Sequence, residues 1–140
     1  MQRRKKVRIE DNQKEYRKKL DKECNSLARE ICFILYKNKC QKPGCTSKQQ
    51  ILQAHHIFTR EIKQVKWDWR NLIPLHPGCH KFWAHKCPDE TYKLMERFLG
   101  KQEWDKLVLK KNCGYFKYTI QNLEFMKQKL EANLDRLKSS

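Results

Sequence analysis

The sequence predicts an α+β fold: a long helix, then a small two-strand-and-helix (ββα) unit stapled by metal ligands, then two or three further helices. Three observations carry this expectation. Apolar residues recur at steps of three and four on both flanks. Two pairs of Cys or His residues each bracket a Pro-Gly turn. Between those pairs lie two short runs with strand-like patterning.

The elements follow in chain order. Residues 1–12 are almost all charged or polar and read as a basic N-terminal arm, frayed when free. Asn12 and Glu15 have the spacing of a capping box. Leu20, Cys24, Leu27, Ile31, Ile34 and Leu35 then form one face of a helix over about 13–36, with Lys14, Arg17, Lys18, Lys22 and Arg29 on the other. Pro43-Gly44 marks a tight turn. Strands are expected within 49–58 and 71–75, joined by a polar loop holding Trp67 and Trp69, with a helix opening over 79–85 after Pro77-Gly78. Pro88 and Gly100 bound the next helix, a further one lies around 104–109, and the last covers 119–138. The apolar face of that last helix, from Leu123 to Leu137, either packs on the domain or pairs two chains. Residues 13–140 read as one domain, with the core module at about 40–86 and the C-terminal helices at 88–138.

Lys and Arg total 32 against 16 acidic residues, a formal net charge of +16. Such an excess costs self-repulsion and makes sense if a polyanion neutralises it, nucleic acid being the commonest. No apolar run approaches the roughly 20 residues of a membrane span, and no apolar segment follows the basic start, so neither membrane insertion nor a secretory signal is expected. The expected compartment is the cytoplasm. Seven cysteines is an odd count, so disulfides are not the default. Cys24, Cys32, Cys87 and Cys113 lack knuckle spacing and read as buried thiols.

The remaining cysteines carry the chemistry. Cys40 and Cys45 flank one Pro-Gly, and His76 and Cys79 flank another. Two such knuckles make a tetrahedral Cys3His site for a structural Zn2+. The long insert between them contains His55-His56-Ile57, whose neighbouring side chains leave a strand on opposite faces. One histidine can then bind a metal while the other faces an incoming water. Asn71 follows after a loop, and His80 comes directly after the last knuckle cysteine.

Taken together, Cys40-x4-Cys45, His55-His56-Ile57-Phe58-Thr59-Arg60, Trp67-Asp68, Arg70-Asn71 and the segment 75–80 resemble an HNH (ββα-metal) endonuclease, more closely the small phage-type proteins, some of which act in recombination like the Rap-type junction nucleases. The resemblance covers 40–85 well and the flanks loosely. It implies a one-metal DNA endonuclease in a bacterial or phage-infected cell, with His56 as general base and Asn71 orienting it. It makes His55 and His80 the ligands of a catalytic Mg2+ or Mn2+. Arg60, Lys63, Lys66 and Arg70 become phosphate contacts, and double-strand cutting favours a homodimer. His76 stands where the family usually has a cysteine, and His55 where it often has an aspartate. A further family ligand often lies four residues after the last motif histidine, where this chain has Ala84. His85 is one position too far along a regular helix. It reads either as a surface residue or phosphate contact, or as a ligand brought in by a distorted helix. A non-catalytic zinc module that binds nucleic acid explains the charge and the knuckles equally well, but not the placing of His55, His56, Asn71 and His80.

Overall fold

Gln, Arg, Lys and Glu are good helix formers, and no Gly or Pro interrupts the first 35 residues. In the computed structural model, which describes residues 2–140 and their side chains from Arg8 onward, the first helix therefore starts at the very beginning of the described chain. α1 spans Gln2–Leu35. The basic stretch up to residue 12 is helical from residue 2 rather than a separate arm, and Asn12 lies inside α1 rather than at its cap. Lys37 and Asn38, both with positive φ, turn the chain out of α1.

The fold is α+β and mostly helical. β1 (Gln53–His56) pairs antiparallel with β2 (Leu72–Leu75), with His55 opposite Ile73 and His56 opposite Leu72. α2 (Pro77–Cys79) continues into a π-helical turn, His80–Ala84. α3 (Pro88–Leu99), α4 (Lys101–Cys113) and α5 (Ile120–Lys138) follow. Pro88 begins α3 and Gly100 separates it from α4 with a φ of 83°, which L side chains rarely adopt. Thr119 caps α5, its side chain accepting from the Asn122 N–H.

The chain divides into two compact units. The first, Met1–Leu27 with Phe116–Ser140, pairs the early part of α1 with α5. Tyr118 and Tyr16 donate to Asp21 and Glu124, and Lys127 meets Glu23 at 2.9 Å. Leu20, Cys24, Leu123, Leu130 and Leu134 are buried, so the apolar face of α5 is used within its own unit.

The second unit, Ala28–Tyr115, holds every histidine and both Pro-Gly pairs. Its core gathers Phe58, Val65 and Leu107, with Ile62, Tyr92, Leu99, Trp104 and Val108 against them. Helices α3 and α4 thus close over the loop between the strands. Of the loop's two tryptophans, Trp67 is buried and Trp69 exposed.

A charged cluster locks the same loop. The Asp68 carboxylate is 5% exposed and accepts from Arg70 at 2.8 Å and Lys110 at 2.9 Å. Arg70 also reaches Glu103. Burial alone would raise the Asp68 pKa, but the Arg70 hydrogen bond and the Lys110 charge outweigh it and pull it from 3.8 to about 2. A carboxylate held below its unfolded value stabilises the fold fully above pH 3.8, and that stability drains away as pH falls through about 2. Asp68→Asn is expected to cost about 2–3 kcal/mol at neutral pH and to flatten the acid limb of stability. Urea unfolding of both proteins from neutral to acid pH checks this; equal midpoints would rule it out.

Candidate metal and catalytic site

The two Pro-Gly turns converge. Gly44, with a φ of 66°, lets the first turn reverse between Cys40 and Cys45. The Gln41 N–H donates to the Pro74 carbonyl at 3.0 Å, pinning this loop to β2. Cys45 Sγ lies 3.3 Å from His76 Nδ1 and 3.6 Å from Cys79 Sγ, and the His76 N–H points at Cys40 Sγ. The four ligand atoms all lie within 4.8 Å of one another, so Cys40, Cys45, His76 and Cys79 can hold a metal ion. Three thiols and an imidazole at such separations suit one tetrahedral ion. Their acidities diverge. Burial raises the Cys45 pKa, but the Ser47 N–H and its Cys and His neighbours lower it further, to about 7. Burial and the neighbouring thiols push Cys79 up to about 12.

A second group forms beside the first. Cys79 ends α2, and His80 opens the π-helical turn. There the His85 N–H donates to the His80 carbonyl, five residues back, at 3.2 Å. The wider turn puts residues five apart on the same face. The His80 and His85 rings accordingly stand 4.5 Å apart, and His55 lies 4.9 Å from His80 and 5.6 Å from His85. Their ligand atoms too lie within 4.8 Å of one another and can hold a metal ion. The helix is thus distorted in the way that would bring His85 onto the His80 face.

Both ends of this group are oriented. Gln53 precedes His55 by two residues on β1, hence on the same face. Its Oε1 accepts from His80 Nδ1 at 2.8 Å, leaving Nε2 as the nitrogen able to bind a metal. His55 is 7% exposed, and burial, with the nearby His80 and His85, drops its pKa to about 3. It is a neutral imidazole at any physiological pH, as a ligand must be. Burial also lowers the His80 pKa.

His56 ends β1. Its Nε2 lies 3.0 Å from the Lys66 carbonyl, which only accepts, so Nε2 carries the proton and Nδ1 keeps a lone pair. Burial lowers its pKa, and the charges of Lys66 and Arg60 add to that against the opposing carbonyl bond. Asn71 is fully buried and works on the same loop. Its side chain accepts from the Phe58 N–H at 2.7 Å and donates to the Phe58 and Val65 carbonyls. It thereby fixes both the exit from His56 and the approach to Lys66.

Not every expected residue is placed as the sequence suggests. Arg60 is exposed and Lys63 half-buried, but Lys66 is 6% exposed with its ammonium over the Trp67 ring. Arg70 is spent on Asp68 and Glu103. Lys66 and Arg70 thus both make contacts within the protein, Lys66 with Trp67 and Arg70 with Asp68 and Glu103. Cys24 and Cys32 are buried thiols as expected, and burial raises Cys32 to about 12. Cys87 is only half-buried and Cys113 is exposed, at the end of α4, which corrects the reading of all four as buried. Sequence reasoning missed Gln53, whose signal is its two-residue spacing from His55.

No helix among the described residues is long and apolar enough to cross a membrane. No family model, curated protein or solved structure matches the chain.

Proposed function

We propose that the chain is a metal-dependent DNA endonuclease of the HNH type, with a structural Zn2+ in the Cys3His group and a catalytic divalent cation on the histidine group. The observation that supports this best is the pairing of His56, half-buried with Nδ1 left as an acceptor, with a three-imidazole group whose His55 is its neighbour on β1. A module that only bound nucleic acid would have no use for that pairing. His56 Nδ1 takes a proton from water, and the resulting hydroxide attacks phosphorus as the bond to the 3′-oxygen breaks. The leaving oxygen is protonated by solvent, giving a 5′-phosphate and a 3′-hydroxyl. Asn71 and the Lys66 carbonyl hold the His56 ring while this happens. The cation, held by His55, His80 and His85, would supply charge stabilisation of the phosphorane and the leaving oxygen. The exposed His85 keeps that side of the group open to a phosphate. The net charge of +16 supplies salt-dependent attraction to the DNA backbone.

Nicking of supercoiled plasmid tests this reading when compared with His80→Ala. That variant should keep the wild-type circular dichroism spectrum and lose cutting; full activity in it would rule the site out. Gln53→Ala is expected to weaken cation binding by about 10-fold or more by freeing the His80 ring. Titration calorimetry checks it, and unchanged affinity would remove Gln53 from the site.

A further inference from the structure

We propose that the histidine group takes a borderline transition cation such as Zn2+, Co2+ or Ni2+ in strong preference to Mg2+. This rests on reading His55, His80 and His85 as ligands of one ion, and not on what that ion does. The donor set is three imidazole nitrogens, and no carboxylate belongs to the group. Mg2+ demands octahedral oxygen ligands and gives up its water reluctantly, whereas imidazole suits the later first-row metals. Charge argues the same way. Three imidazoles carry no negative charge, so in a chain of net charge +16 they offer a dication no compensating anion. Binding must then come from the strength of the metal–nitrogen bond, which climbs along the series from Mn2+ towards Cu2+. The group is also set up for such bonds. His55 is buried and His80 is held by Gln53 with Nε2 as the ligand atom. The π-helical turn brings His85 onto the His80 face. Mg2+, which the sequence resemblance would accept, matches this set poorly, because an imidazole stands at His55 in place of a carboxylate.

The 140-residue chain carrying zinc in its cysteine group is titrated with Co2+ and followed by visible absorption. One further equivalent should bind, with ligand-field bands and without thiolate charge-transfer bands. Mg2+ in about 100-fold excess should leave that spectrum unchanged. His85→Ala alters an exposed side chain, so the fold is expected to survive, and it should weaken Co2+ binding by about 10-fold or more. Displacement of cobalt by comparable Mg2+, absence of the further equivalent, or unchanged binding in His85→Ala would each overturn the proposal. Cobalt bound in this way by a protein that cuts no DNA would sink the nuclease reading and uphold this one. Cutting supported by Mg2+, with no cobalt bound, would do the reverse.

Discussion

His56→Ala is expected to slow DNA cleavage by about 10²- to 10⁴-fold, the range for loss of a positioned general base. DNA affinity should stay within about twofold, because backbone attraction comes from the basic residues rather than from a half-buried imidazole. Two structural facts make the variant informative. The His56 ring is fixed by a single bond to the Lys66 carbonyl, and the loop is held independently by Asn71. Loss of the ring should therefore leave the hairpin in place. Single-turnover cleavage and salt-dependent binding, measured side by side, separate the two effects. Equal cleavage by both proteins would remove His56 from the chemistry, and a matching collapse of affinity would make it a binding residue.

Cys79→Ser should be far more damaging to structure. A structural zinc contributes on the order of 10–16 kcal/mol of apparent binding free energy in small domains. Cys79 is 8% exposed, touches Cys45 and is bonded directly to His80. Losing its thiolate should release the ion, loosen the π-helical turn and so scatter the histidine group as well. The expected result is less than one zinc per chain by native mass spectrometry, with rapid proteolysis between residues 40 and 87. Full zinc retention with wild-type protease resistance would contradict it. The contrast with His80→Ala, which should spare the fold, distinguishes the two metal groups.

Much of this site was readable before any coordinates. The Cys3His group is legible because Pro-Gly turns at Pro43-Gly44 and Pro77-Gly78 leave their flanking ligands little choice of direction. The ββα order is legible because strand-like runs lie on either side of a polar loop. His85 is not legible in the same way, since a 3.6-residue period puts it off the His80 face, and only the five-residue hydrogen bond restores it. The turn that makes this bond also buries Trp83 and Ala84. Lys66 and Arg70 looked like phosphate contacts because charge reads as surface. Their use depends on Asp68, Trp67, Lys110 and Glu103, two of which come from a helix more than thirty residues away. The start of α1 was missed for a different reason: a run of charges suggests solvation, yet the same straight side chains favour helix.

The most direct measurement is plasmid cleavage after mild chelation that strips the histidine group and leaves the cysteine-bound zinc, followed by return of a divalent cation. Zinc content and circular dichroism are recorded at each stage. Cutting should stop on chelation with one zinc still bound and the fold intact, and should return with the added cation. Cleavage that continues at full rate without the exchangeable cation would contradict a metal-dependent nuclease at His55, His56, His80 and His85.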